Sequence, residues 1–207
     1  MTNLTNSEIR KKAREILGKS IFDNGWLYPV LIVLIVSAIS GASSIILVGP
    51  FIIFGILMCA TSSYFLARVR GNAAPEKLDA ALDGVKNDIG GIIITGILHQ
   101  IFISLWTMLF IIPGIVKGFS YALTYYVKCD NPEMSANEAI TESRRLMDGN
   151  KMRLFLLNLS FIGWIFLGAL TFGIGTLWVS AYMETSLAIF YEDVKASKPR
   201  VESGIVA

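Results

Sequence analysis

Few side chains in this chain have both the chemistry to move a proton or hold an ion and a setting that would make it matter. Glu184 is the foremost. It sits in the last long apolar run, about seven residues from one end, which is roughly 10 Å at helical rise. His99, the single histidine, and its neighbour Gln100 stand about nine residues into an earlier apolar run, at comparable depth by the same rise. Asn158 lies nearer the end of a third run. A Glu184–His99 or Glu184–Asn158 contact across helices is geometrically permitted. A carboxylate drawn out of water beside an imidazole can relay protons or hold a cation, and ionisable groups in such runs are functional candidates by default. The plainer reading is that Glu184 fixes helix packing through Asn158, a backbone carbonyl or Tyr182, and that His99 is a packing hydrogen-bonder. Both readings stand at the level of sequence.

A second group is cationic. Arg144, Arg145, Lys151 and Arg153 crowd one polar loop, and Lys117 stands alone in an apolar stretch. Such residues suit anionic lipid headgroups or a protein partner, although a topology-setting basic loop has the same composition. Enzyme signatures are missing: no P-loop, no H-E-x-x-H, no G-x-S-x-G, no dinucleotide fingerprint and no acid cluster suited to metal. The expectation is a non-enzymatic chain without metal or cofactor. Basic loops alone do not argue for nucleic acid, because membrane topology explains them better.

The elements that must position these residues follow from composition. The 207 residues are 54% hydrophobic and 16% charged, with a net charge of +2, and the mean hydropathy is +0.59. Leu27 to Leu47 and Ile89 to Val116 carry no charge, and Met152 to Met183 carries only Arg153. Runs of this length match the roughly 20 apolar residues that cross a bilayer, where closed helices are required. The predicted fold class is an all-α polytopic membrane protein. Six segments are expected, at about 27–47, 50–67, 89–112, 114–128, 153–172 and 174–191, with 114–128 barely long enough to span. They pair around Gly49-Pro50, Pro113-Gly114 and Gly173-Ile174-Gly175, breaks about 60 residues apart, the kind of period that marks repeated units. The breaks suit tight helical-hairpin turns; the competing reading is the broken helices of transporter sites.

This gives three repeated hairpins, 27–67, 89–128 and 153–191, in one membrane domain, 26–193. Polar helical loops at 68–88 and 129–152 separate them, and 194–207 forms a tail. Of the 18 basic residues, Lys117 alone falls on the far side in this threading. The positive-inside rule therefore puts both termini and both long loops in the cytoplasm of a multi-pass cell-membrane protein. The polar start and late first apolar run do not fit a cleavable signal.

Residues 1–25 read as a basic amphipathic helix lying on the membrane surface. Ile9, Ala13, Ile16 and Leu17 share a face, Ser7 suits the N-cap, and Trp26 and Tyr28 follow at the interface. Pro75 to Leu82 suggests a short loop helix. In the later loop Ser135 and Glu138 form a capping box, Ala139, Ile140, Ser143 and Met147 share a face, and Gly149 can end the helix. Gly163, Gly168, Gly173 and Gly175, with Ser160 and Ala169, offer small faces for close helix contact. Tyr121, Tyr125, Tyr126, Tyr182 and Tyr191 read as an interfacial belt. Cys59 and Cys129 fit neither a metal spacing nor a disulfide framework and read as small packing residues.

A run of motifs in the second half carries a resemblance. Ile112-Pro113-Gly114-Ile115-Val116-Lys117 and Asp130-Asn131-Pro132 are followed by Glu138-Ala139-Ile140-Thr141-Glu142-Ser143 and Leu146-Met147-Asp148-Gly149-Asn150-Lys151. Ser160-Phe161-Ile162-Gly163-Trp164, Gly173-Ile174-Gly175, Leu177-Trp178-Val179 and Ala188-Ile189-Phe190-Tyr191-Glu192 complete the order. The order resembles the bacterial integral membrane family catalogued as domain of unknown function 975. The resemblance implies a membrane fold and a bacterial setting, and no activity. Where that family has Pro-Tyr in its last helix this chain has Ala181-Tyr182, which removes a kink. The function expected is an accessory, envelope-stress or peptide-resistance factor, or lipid-interacting scaffold, in contact with the lipid bilayer, anionic headgroups and a possible membrane protein partner. The alternative is a small transporter or channel using Glu184 and His99. Oligomeric state is open.

Overall fold

The computed structural model describes residues 4–18, 24–43, 49–71, 79–86, 88–109, 111–171 and 173–198, and these are helical apart from turns and caps. The expected run 75–78, the turn residues 44–48 and the tail beyond 198 lie outside the described residues.

The first helix, α1 (Asn6–Leu17), begins one cap earlier than the sequence suggests. Thr5, not Ser7, is the N-cap. The Glu8 amide donates to Thr5 Oγ1 (3.3 Å) and the Thr5 amide donates to Glu8 Oε2 (2.7 Å), a reciprocal box that satisfies two free donors. The Thr-x-x-Glu spacing holds that signal. The helix is amphipathic as expected, but protein rather than lipid covers its apolar face: Ile9, Ala13 and Leu17 are 0% exposed. The Leu4 amide donates to Asp193 and the Tyr182 hydroxyl to the Arg10 carbonyl, so α1 runs antiparallel beside the last helix.

Each expected apolar segment forms helix: α2 (Asn24–Ser43), α3 (Gly49–Val69), α5 (Ile89–Leu109), α6 with α7 (Ile111–Tyr121, Thr124–Asp130), α9 with α10 (Lys151–Leu159, Ile162–Leu170) and α11 (Ile174–Ser197). Two of the six are interrupted. At the α6–α7 step the Ser120 carbonyl accepts the Ser143 hydroxyl (3.0 Å). At the α9–α10 step Ser160 Oγ donates to the Leu157 carbonyl (2.5 Å), a local bond that competes with the helical ladder. The last helix is unbroken through Ala181-Tyr182, as the missing proline implies.

The partners within each expected pair pack together: α2 on α3, α5 on α6, α10 on α11. The loop helices also pack on the bundle. In the first loop α4 (Asp79–Lys86) covers the described part of the expected run, continues past Leu82 and is set against α3. In the second, α8 (Ala136–Met147) starts with the expected Ser135–Glu138 capping box and buries the expected face, Ala139, Ile140, Ser143 and Met147, against α5, α6 and α7.

The core gathers along α11 from Ala181 onward, where Ala181, Ala188, Phe190, Tyr191 and Val194 are all buried. The five tyrosines expected at an interface are buried there or nearby, because their rings fill core space. Phe161 and Tyr182 meet edge to face, and Tyr126 stacks on Tyr191. By contrast α10 and the outer faces of α2 and α5 are left open: Phe166 is 71% and Leu170 78% exposed. Lys151–Leu170, taken through its turn, is the one run among the described residues that is long and apolar enough to cross a bilayer; Gly25–Ser40, Ile53–Val69 and Ile89–Leu105 are shorter.

Close helix approach is set by glycine. Of the expected small positions, Gly168 comes against Gly175 and Thr176, whereas Gly163 faces open space. The sequence reading missed Gly55, where α3 crosses α5. A Cβ there would lie 2.8 Å from the Ile92 carbonyl oxygen and 3.1 Å from Gly96 Cα, both backbone and so unable to swing aside. Gly55→Ala is expected to lower stability by about 1–3 kcal/mol, read as unfolding in detergent, while Gly163→Ala changes it little.

Candidate functional site

Asp130, the last residue of α7, gathers donors from two other parts of the chain. Its carboxylate accepts from Arg70 Nη1 (2.6 Å), just past α3, and from the Tyr191 hydroxyl (2.9 Å) and Lys195 Nζ on α11. Arg70 Nε also donates to Glu192 (2.8 Å). Tyr191 and Lys195 are one turn apart, so a single helix face supplies both donors. Burial pushes the Asp130 carboxyl up, but the bonds from Arg70, Lys195 and Tyr191 outweigh it and hold the pKa at about 2. Arg70 is desolvated too, yet Asp130 and Glu192 keep it above its ordinary range.

Two further knots lie beside it. Arg153 Nη2 donates to the Leu4 carbonyl (2.6 Å) and to Asp193 (2.8 Å), Nη1 donates to Asn150 (3.1 Å), and the guanidinium lies 5.2 Å from the Phe190 ring centre. This ties α9, α11 and the start of α1. Lys128 on α7 is buried to 1% side-chain exposure. Its ammonium has three donors and three acceptors: Asp88 (2.6 Å) and the carbonyls of Pro132 (2.8 Å) and Met134 (2.6 Å). Asp88 also caps α5, accepting from the Gly91 amide (2.9 Å). A Cβ on Gly91 would meet Asp88 Oδ2 at 2.0 Å and Lys128 Nζ at 2.8 Å, so a larger residue there would displace the pair. Arg68 adds a bond to the Ile16 carbonyl (2.8 Å). Together these make a polar collar that joins α1, α3, α5, α7, α9 and α11.

The structure separates the polar residues that the sequence put on one site. Glu184 accepts from the Tyr126 hydroxyl (3.1 Å), a partner missed because Tyr126 lies on a short helix reached only through the α6–α7 step. His99 is buried between Tyr121 and Tyr125, with ring centres 6.2 and 5.1 Å away, and its Nδ1 has no hydrogen-bond partner among the described residues. Gln100 is half-buried, and Asn158 is exposed on α9, beside Leu154 and Phe119. Of the cationic group, Arg153 belongs to the collar. Arg145 forms a two-bond pair with Glu142 (2.8 and 2.7 Å) and donates to the Lys198 carbonyl (3.0 Å). Lys117 lies within electrostatic reach of Arg144 and Lys151, at the same end of the molecule rather than across from them. The reason is α8, whose Ser143 is bonded to Ser120, one turn from Lys117.

Cys59 and Cys129, read as separate packing residues, are joined as a disulfide, with Cα atoms 6.1 Å apart. A separation of 70 residues in sequence hides the pair; the packing of α3 on α7 creates it.

These collar residues, apart from those on α1, α3 and the start of α5, fall in one stretch of chain. Residues 109–198 match the family model described as Protein of unknown function (DUF975). This is the family that the motifs from Ile112 to Glu192 resemble, and the DUF975 match stops short of the first hairpin. No curated protein and no solved structure matches the chain. Within the DUF975 stretch, Asp130 and Lys128 stand just before α8, and Tyr191, Glu192, Asp193 and Lys195 close α11. The collar is therefore centred on that stretch, and it recruits Leu4, Ile16, Arg68, Arg70 and Asp88 from outside it.

The low pKa of Asp130 has a signed consequence. A carboxyl at about 2 when folded, against an ordinary 3.8, stabilises the fold above about pH 4 and loses that contribution as pH falls through 2. Asp130→Asn is expected to remove about 2 kcal/mol at neutral pH and to flatten the acid limb between pH 4 and 2. Denaturation in detergent across that range checks it; an acid limb like that of the parent contradicts it.

Proposed function

We propose that this chain is a multi-pass cell-membrane protein that works without catalysis, as an accessory or lipid-interacting scaffold. Its three apolar hairpins enter the bilayer, and the collar with both chain ends stays on the cytoplasmic side. The observation that carries the reading is the open apolar surface on α2, α5 and α10. Leu31, Leu34, Ile35 and Ile39 on α2, Ile94, Ile101 and Leu105 on α5, and Ile162 to Leu167 on α10 are left uncovered by their own chain. Exposed apolar faces on three helices call for lipid or protein. The charged side chains of the collar, by contrast, bond mainly to one another.

The collar favours a scaffold over a carrier. Glu184 and His99 are engaged separately, with Tyr126 and with the Tyr121–Tyr125 pair, and the two roomiest of the described cavities are lined by neither. The bonded helix ends hold α8 and α1 rigidly in place, where they offer a partner a fixed surface. The Lys117, Arg144 and Lys151 cluster is suited to anionic headgroups or an acidic partner segment.

The threading is tested by labelling. With Cys59 and Cys129 replaced by serine, single cysteines at Arg144 and at Ile174 are exposed to an impermeant thiol reagent in intact cells and in inverted vesicles. The expected result is retention of the chain in alkali-washed membranes, with the Arg144 position labelled only in inverted vesicles. Labelling of that position from outside, or release of the chain by the wash, overturns the reading.

A further inference from the structure

Where α1 meets the start of α11, a cavity of about 650 Å³ opens on the surface, within the usual range of a small-ligand site. Its floor is Trp26 and Tyr182, packed edge to face, and its walls are Trp164, Trp178 and Val179. Trp26 Nε1 donates to the Gly18 carbonyl (3.1 Å), which satisfies the one polar atom of that side chain. Lys11, Arg14 and Glu15, from the polar face of α1, form the rim. Neither Lys11 nor Arg14 has an ion-pair partner among the described residues.

We propose that this cavity is a binding site for one anionic phospholipid, its phosphodiester held by Lys11 and Arg14 and an acyl chain laid between Trp164 and Trp178. The rim fixes the charge of the occupant. Two cations against one carboxylate leave one positive charge in excess, the complement of a singly charged phosphodiester headgroup. The walls fix its amphiphilic character, because indoles beside cations are the side chains that favour the boundary between acyl chains and headgroups. Continuity fixes the source. Trp164 belongs both to the cavity and to the open apolar face of α10, next to Ile162 and Ile165, so a lipid tail enters without leaving the bilayer. Docking of α1 along α11 is what makes the site, since its Lys11 and Arg14 would otherwise face water.

The inference rests on the membrane reading above, and its test separates the two. The full-length protein, purified in mild detergent, is titrated with phosphatidylglycerol, with phosphatidylcholine of the same chains, and with glycerophosphoglycerol, which has the headgroup alone; native mass spectrometry counts retained molecules. The expected result is one phosphatidylglycerol held at about tenfold or greater preference over phosphatidylcholine, with no retention of the headgroup alone. The preference should vanish in Lys11→Ala/Arg14→Ala, whose side chains lie outside the core, and persist in Arg144→Ala/Lys151→Ala. Equal retention of both lipids, binding of the bare headgroup, or a preference that survives in the first variant or vanishes in the second overturns the site. A chain that is membrane-embedded but shows no preference fails this inference alone; one released by the alkaline wash fails the reading beneath it.

Discussion

One carboxylate, Asp130, takes hydrogen bonds from three side chains on two other helices, and the polar end of the molecule is organised around that need. A charge removed from water must be paired and bonded on all sides. Arg70 reaches it only if α3 ends where α7 ends, and Tyr191 and Lys195 reach it only if α11 runs past both. Lys128, two residues earlier, imposes the same demand in the opposite sign: three acceptors for three donors, drawn from the start of α5 and from the turn before α8. These two adjacent sites, of opposite charge, fix how the helix ends meet.

The remaining charges follow from that arrangement. Arg153 binds the beginning of the chain through Leu4 and Asp193, so α1 docks along α11 with its apolar face covered. Away from these pairs Phe166, Leu167 and Leu170 stand open. The contrast between the bonded collar and these exposed apolar side chains is what motivates the proposed scaffold. It also shifts the interest away from Glu184 and His99, whose side chains go to separate tyrosine contacts, and toward the helices that the collar holds.

Much of the local structure was legible in sequence because it depends on near neighbours. The Ser135–Glu138 box, the buried face of α8, the long apolar helices and the straight passage through Ala181 are all set within a few residues. The family match over residues 109–198 was legible too, from the order of short motifs between Ile112 and Glu192. What sequence did not disclose depends on tertiary approach. Lys128 and Arg153 look like ordinary loop cations until their acceptors are assembled. The Cys59–Cys129 link needs α3 beside α7. The tyrosines have the composition of an interfacial belt and the position of a core. Thr5 was the exception, a capping signal present in the sequence and passed over in favour of Ser7.

The most direct measurement of the central claim, that the open apolar face lies in acyl chains, uses Trp164 on α10. The protein is reconstituted in vesicles with lipids brominated along the acyl chain, and its fluorescence is compared with that of Trp164→Phe. Bromine quenches an indole only at short range, so the difference isolates one position. The account predicts that the emission attributable to Trp164 is quenched by chain bromine and untouched by aqueous iodide. Quenching of that emission by iodide, with no effect of brominated chains, would contradict it.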